Sequence, residues 1–266
     1  RQEISCLLLD AYDLSFRYMQ QAGRLCKTVY IDDLEHFAYP ADLLVNYTCN
    51  TALARERLQK DPSKKYLLGM RYAPLREEFS GEGIPIREQA RQVLITTGGT
   101  DAYDMTAGIL EALSGYPYLK KHAVSGKFSQ NTAVLREMAG RDGSIQVYHD
   151  IPDICRVMKA CDLAVSAGGG TLAELCACGV PTVCFAVADN QLPGIGTYAE
   201  AGIMMYAGDV RQDREGVIKK AAEYVELLAG DNTKRKDMGS KGKQFVDGKG
   251  AWRIAQEIAK LAAGSD

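Results

Sequence analysis

The feature that most constrains this chain is an alternation. Unbroken apolar runs of strand length take turns with stretches of helical period almost from end to end. Strands are predicted at residues 4–9, 28–31, 43–45, 93–96, 123–125, 145–148, 163–165, 182–186 and 203–206. Helices are predicted at 14–23, 102–114, 130–139, 152–159, 171–178, 197–201 and 217–229. A strand that is apolar on both faces has to be covered on both faces, and helices flanking a parallel sheet do that. The fold class expected is α/β, with parallel sheets covered by helices on both faces.

The alternation is interrupted once. Residues 80–89 carry Gly81, Gly83 and Pro85 with no clear period, which reads as a linker. At least five strand–helix units follow it, enough for a complete doubly wound domain. Three predicted strands precede it, half of such a domain. Because the sequence opens on Arg1 and runs at once into a strand, the first domain is expected to be truncated at its N-terminus. A length of 266 residues suits two domains of this kind. The basic run from Lys234 to Lys243 reads as the solvated face and end of a helix.

A net charge of −2 does not supply the basic footprint of a duplex nucleic-acid binder. No apolar run reaches membrane-spanning length. The eight cysteines lie mostly inside apolar runs at irregular spacings, as small buried hydrophobes do in a reducing cytosol. Cys176 and Cys178 fall two apart on a predicted helix, so they point to different faces and make a poor metal pair. A cytoplasmic location, no metal and no cofactor are expected, and a monomer.

The chemistry concentrates after strand ends. Ser166-Ala167-Gly168-Gly169-Gly170-Thr171 joins a buried strand to a helix, and Glu174 follows one turn later. The first amides of a helix have no partner within it and, with the helix dipole, form an anion site. Bare backbone at Gly168, Gly169 and Gly170 lets a phosphate approach, and the Thr171 hydroxyl adds a donor. A carboxylate beside a diphosphate is repelled, so Glu174 is expected to turn to a ribose diol, whose two hydroxyls it can accept from. A dinucleotide fingerprint would place its acid about 20 residues further on. The ligand expected is a nucleoside diphosphate. The alternative is a glycine-rich connection with a surface glutamate.

Three more loops leave strands on the same side. Gly98 and Gly99 follow the strand at 93–96, with Asp101 placed to cap the next helix. The backbone from Tyr148 to Ile151 is placed to read a base edge. Asp189, Asn190 and Gln191 follow the strand at 182–186, where Asn190 and Gln191 suit a sugar amide or hydroxyl. His149, His122 and His36 read as structural, and no Ser-His-Asp order, metal-ligand spacing or Walker motif appears.

These motifs resemble a known family. The segment from Ser166 through Glu174 to Gln191 resembles the nucleotide-sugar half of glycosyltransferases with two facing Rossmann-like domains, the GT-B type. More specifically it resembles the UDP-2,4-diacetamido-2,4,6-trideoxy-β-L-altropyranose hydrolases of pseudaminic acid biosynthesis. Asp10-Ala11-Tyr12, Ile31 to Leu34, Tyr72 to Phe79, Gly98 to Asp101, Ala167 to Thr171 with Glu174, and Ala188 to Gln191 carry that resemblance over nearly the whole chain. The glycine loop is shared with the lipid-II-forming N-acetylglucosaminyltransferases.

The resemblance implies hydrolysis of the anomeric bond of a UDP-linked diacetamido sugar, releasing UDP without a metal. It implies that Tyr12 lies against the sugar, that Asn190 holds it, and that the backbone near Tyr148 to Ile151 reads uracil. The family's histidine base sits in a glycine-rich loop absent here, and is expected upstream of Arg1, so no catalytic residue is assigned. The layout implied is a partial N-terminal domain and linker at 1–80, a nucleotide-sugar domain at 81–246, and a helix at 247–266 crossing back to the first domain. Two other readings stay open, a UDP-sugar-dependent glycosyltransferase and a non-catalytic nucleotide-sugar binding fragment.

Overall fold

The computed structural model describes residues 4–11, 13–32, 40–47 and 64–264. Its contacts divide into two units, Arg1–Glu77 with Gly248–Asp266, and Glu78–Asp247.

The first unit is a four-stranded parallel sheet in the order β1-β2-β3-β4, with β1 at Cys6–Leu9, β2 at Lys27–Ile31, β3 at Leu43–Asn46 and β4 at Lys65–Leu68. Residues along a strand alternate between faces. Val29, Ile31, Leu43, Val45 and Leu67 share one face, and Ile254, Ile258 and Leu261 of the C-terminal helix pack on it. Tyr30 and Leu44 share the other face with Met19 of helix α1, Phe16–Gly23. Ser15 caps α1, its hydroxyl accepting from the Tyr18 amide at 3.2 Å. Strand β4 corrects the three-strand expectation. Lys64 and Lys65 precede only three residues of strand character, Tyr66, Leu67 and Leu68, too short a run to stand out before the sheet pairs it with β3.

The second unit is a six-stranded parallel sheet. Its strands are β5 (Gln92–Thr96), β6 (Lys120–Ser125), β7 (Ile145–His149), β8 (Leu163–Ala167), β9 (Thr182–Ala186) and β10 (Met204–Asp209). They run in the order β10-β9-β8-β5-β6-β7. Chain order goes outward from β5 in one direction and then, from β8, outward in the other. This is the doubly wound order, and its switch point lies between β5 and β8. Those two strands pair in register, Val93 with Leu163 through Thr96 with Ser166.

Helices α2 (Met105–Ala112), α3 (Thr132–Arg141), α4 (Ile154–Ala160), α5 (Gly170–Cys178), α6 (Leu192–Glu200), α7 (Arg214–Gly230) and α8 (Asn232–Phe245) belong to this unit. Aspartates 153, 213 and 231 cap α4, α7 and α8 by accepting an amide three residues on, at 2.9, 2.8 and 2.8 Å. Helix α5 stops at Gly179, left-handed at φ 69°, where the Val180 amide reaches back to the Leu175 carbonyl at 3.0 Å. Val93, Ile95, Ala123, Leu163, Val165, Val183 and Phe185 form the sheet side of the core. Burial pushes the thiols of Cys161 and Cys184 up to about 12, which suits packing and not reactivity.

The basic run from Lys234 to Lys243 is not wholly solvated. Arg235, Met238, Gly239 and Gly242 form a buried face of α8. A Cβ at Gly239 would lie 2.6 Å from the Gly179 carbonyl oxygen, so the helix rides directly on backbone. Arg235 is fully buried and donates to the carbonyls of Leu228 and Ala229 at the end of α7 and of Arg87 and Glu88 in the linker. Desolvation lowers its pKa. Its charge sits at a helix C-terminus, where the dipole favours it. Helix α9, Gly250–Ala262, packs on the first unit, where a Cβ on Gly250 would meet the Ala73 backbone, 2.7 Å from its carbonyl carbon. Trp252 of α9 is exposed.

Candidate nucleotide-sugar site

The carboxyl edge of the six-stranded sheet gathers most of the residues singled out from the sequence. Because β5 and β8 are neighbours, the loop with Gly98 and Gly99 and the loop with Gly168, Gly169 and Gly170 leave the sheet side by side at the switch point. The Tyr148–Ile151 backbone follows β7, and Asn190 and Gln191 follow β9 on the other side. Tyr12 and His36 lie outside the described residues.

The three glycines of the β8 loop differ in their surroundings. Gly168 donates its amide to the Phe185 carbonyl at 2.8 Å. A Cβ there would lie 2.7 Å from Gln191 Oε1 and 2.9 Å from Ile195 Cδ1. That glycine is a packing requirement. Gly169 has φ 120°, which only glycine adopts readily. A Cβ at Gly169 or Gly170 would meet nothing within 4 Å. The open backbone is therefore Gly169 and Gly170, at the first turn of α5. Thr171 and Glu174 are half-buried on that helix.

Gln191 is a link between two loops. Its Oε1 accepts from the Val187 amide at 2.9 Å, and its side chain packs over Gly168. Asp189, Asn190 and Gln191 form a short 3-10 turn, with Asn190 exposed. Arg211, which follows β10, holds that turn from outside. Its guanidinium bonds Asp209 Oδ1 at 3.0 Å, Asp209 Oδ2 at 2.6 Å and Asp189 Oδ1 at 2.7 Å. The side-chain bond from Arg211 holds the pKa of both Asp189 and Asp209 down. No sequence motif above includes Arg211. The available signal was an arginine two residues after a strand-ending aspartate at the ligand edge.

The β5 loop is braced by its neighbours. Asp101, buried and left-handed at φ 50°, accepts from the Met105 amide at 2.9 Å and the Thr106 amide at 3.2 Å. Gly126, just past β6, presses on the same loop. A Cβ there would lie 2.6 Å from Gly99 Cα and also strike the Gly98 carbonyl. Ser125, Thr132 and His149 form a chain, Ser125 Oγ to Thr132 Oγ1 at 2.7 Å and Thr132 Oγ1 to His149 Nδ1 at 3.3 Å. His122 is enclosed, bonded to Tyr148 Oη at 3.0 Å and Gln92 Oε1 at 2.9 Å. Desolvation, and then the charge of Lys120, lower its pKa. The Tyr148 hydroxyl is thus engaged within the sheet, while Ile151 is half-buried beyond the strand end. Among the described residues no group of three His, Cys, Asp or Glu side chains is placed to hold a metal ion, and no helix is long and apolar enough to cross a membrane.

No protein-family model matches the chain. Similarity to curated proteins is distant. The spore coat polysaccharide biosynthesis protein SpsG of Bacillus subtilis is 23% identical over 214 residues, covering 78% of this chain and 62% of that protein. The pseudaminic acid cytidylyltransferase and UDP-2,4-diacetamido-2,4,6-trideoxy-beta-L-altropyranose hydrolase of Helicobacter pylori is 26% identical over 194 residues, covering 70% of this chain and 34% of that protein. The UDP-N-acetylglucosamine–N-acetylmuramyl-(pentapeptide) pyrophosphoryl-undecaprenol N-acetylglucosamine transferase of Sorangium cellulosum is 26% identical over 213 residues, covering 76% of this chain and 50% of that protein. The matches thus span from a third to under two thirds of these relatives' own lengths.

Among solved structures, the calicheamicin glycosyltransferase CalG4 superposes with a TM-score of 0.60 at 13% identity, over 93% of this chain and 79% of that one. The pneumococcal O-GlcNAc transferase GtfA, in complex with UDP and GlcNAc, gives 0.56 at 13% identity, over 96% of this chain and 56% of that one. The chain has the α/β fold of the GT-B glycosyltransferases, with two parallel sheets. The two named relatives just described as hydrolase and transferase process sugar nucleotides.

Proposed function

We propose that this protein binds a UDP-sugar on its six-stranded unit and hydrolyses the anomeric bond of a diacetamido trideoxy sugar, releasing UDP. One observation carries the reading. The switch point between β5 and β8 is flanked by two glycine loops, and Glu174 stands one turn into the helix whose mouth is the open backbone of Gly169 and Gly170. In this reading the diphosphate lies at the mouth of α5, where helix amides and dipole favour negative charge. A water oxygen bonds the anomeric carbon as the bond from that carbon to the phosphate oxygen breaks, the water's spare proton passes to solvent, and the same donors stabilise the charge that develops on the leaving UDP. Glu174 accepts from the ribose hydroxyls. Asn190 bonds the sugar, and Gln191 sets the spacing between the sugar turn and the phosphate loop.

The hydrolase reading draws on the Ala188-Asp189-Asn190-Gln191 motif and on the Helicobacter pylori relative. A UDP-sugar-dependent glycosyltransferase is the second reading, favoured by a relative of equal identity that is named as a transferase. UDP release, measured with the diacetamido UDP-sugar and with UDP-N-acetylglucosamine, separates them. Release from the former in water alone, with free sugar formed in equal amount, is the expected result. Release that requires an added sugar or lipid-linked acceptor overturns hydrolysis in favour of transfer.

A further inference from the structure

Phe128 is the most solvent-exposed of the large apolar side chains exposed in the second unit, at 71% of its full accessibility. An aromatic ring held in water on a loose loop needs no explanation. This loop is tied on every side. The Phe128 amide donates to the Gly99 carbonyl at 3.1 Å, and the Ser129 amide closes a turn on the Gly126 carbonyl at 3.0 Å. Asn131 Nδ2 donates to the Asp101 carbonyl at 3.3 Å and to Asp104 Oδ1 at 2.5 Å. On the opposite flank the Asp150 amide donates to the Ser125 carbonyl at 3.2 Å. The loop therefore bridges the Gly98-Gly99 turn and the backbone after β7, and the ring stands near Gly99, where an added Cβ would lie 4.0 Å from Phe128 Cδ2.

We infer that Phe128 is a stacking platform for the nucleobase of the bound nucleotide, and so a specificity residue that favours a nucleoside over bare pyrophosphate. The inference rests on the UDP-sugar reading and adds the group that meets the face of the base. An aromatic face stacks on any base, so it supplies affinity without choosing among bases. Choice among bases falls to groups at the base edge, for which the backbone of residues 149–151 is the neighbouring candidate. Rigid support matters because a ring already in place loses little freedom when the ligand arrives.

Calorimetry with UDP, uridine and inorganic pyrophosphate on the full chain tests this, for the unaltered protein, Phe128→Ala and Phe128→Tyr. Loss of one stacked base is expected to weaken UDP and uridine by about 5- to 150-fold in Phe128→Ala. Pyrophosphate affinity and the midpoint of thermal unfolding are expected to stay unchanged, and Phe128→Tyr to restore nucleoside binding. Equal UDP affinity in Phe128→Ala overturns the inference alone. A parallel loss of pyrophosphate affinity also overturns it, since the residue would then only be supporting the loop. An unaltered chain that binds pyrophosphate but no UDP overturns the UDP-sugar reading and the inference with it.

Discussion

The two sheets follow one rule and differ in one respect. Both are parallel, both are covered by helices on their two faces, and both bury most apolar residues of their inner strands. In the four-stranded sheet the strands run in chain order from one edge to the other. In the six-stranded sheet that order reverses between β5 and β8. A reversal sends the two adjoining connections to opposite faces, so the loops part and leave a crevice at the strand ends. Among the described residues only the six-stranded sheet has such a reversal, and it is there that glycine loops, a helix mouth and Glu174 converge. A site follows from topology before it follows from any side chain.

The largest effect expected comes from filling the tightest backbone contact in each unit. Gly126→Ala drives a methyl into Gly98 and Gly99, which are backbone and cannot swing away. A destabilisation of about 3 kcal/mol is expected from such overpacking, with loss of UDP binding as the β5 loop shifts. Gly250→Ala drives a methyl into Ala73 and should cost about as much, but in the four-stranded unit. UDP affinity of the still-folded Gly250→Ala fraction is expected to match the unaltered chain. The comparison breaks if chemical denaturation and calorimetry show the reverse, with Gly250→Ala losing UDP and Gly126→Ala keeping it.

A smaller effect separates sugar from nucleotide within the six-stranded unit. Arg211 bonds Asp209 and Asp189 and so braces the turn bearing Asn190. Arg211→Ala is expected to weaken the UDP-sugar by about 1 kcal/mol, roughly fivefold, while UDP alone binds as before. Equal losses for both ligands would remove the sugar role from this turn.

The smallest effect is in pH. His122 is held neutral by burial, with a pKa below that of the unfolded chain. Both states are neutral well above pH 6.5, so the group then contributes no pH dependence. As pH falls below about 6.5 the unfolded chain takes a proton that the folded sheet refuses, and stability drops. In the four-stranded unit, the lowered carboxylates Asp42 and Glu257 lose their contribution only at more acid pH, below the ordinary carboxylate range. Hydrogen exchange at pH 7 and pH 5.5 should therefore show the six-stranded sheet loosening first, and His122→Gln should remove most of that difference. Uniform loosening of both sheets would contradict it.

Most of the architecture was legible because parallel strands buried on both faces are mostly runs of apolar residues, such as Leu94-Ile95 in β5 and Val183-Cys184-Phe185 in β9. Strand β4 escaped because Lys65 opens it and only Tyr66, Leu67 and Leu68 follow. The buried face of α8 escaped because it is made of Arg235, Met238, Gly239 and Gly242, which have no apolar stripe between them. At the site, three consecutive glycines with an acid one turn on are rare enough to be noticed in a string of letters. Their division of labour was not legible. Gly168 is bare because Gln191 and Ile195 pack there, and that contact exists only after the β8 and β9 loops meet. The same holds for Arg211 and for Gly126, whose partners are remote in the chain.

The measurement closest to the central claim is calorimetry of UDP and of inorganic phosphate on the unaltered chain and on Glu174→Ala. If UDP lies at the mouth of α5 with its ribose against Glu174, the substitution removes charge-assisted hydrogen bonds and should cost about 1.5–3 kcal/mol of UDP binding, while phosphate affinity is unchanged. UDP affinity that is the same in Glu174→Ala as in the unaltered chain would contradict the placement of the nucleotide at this helix.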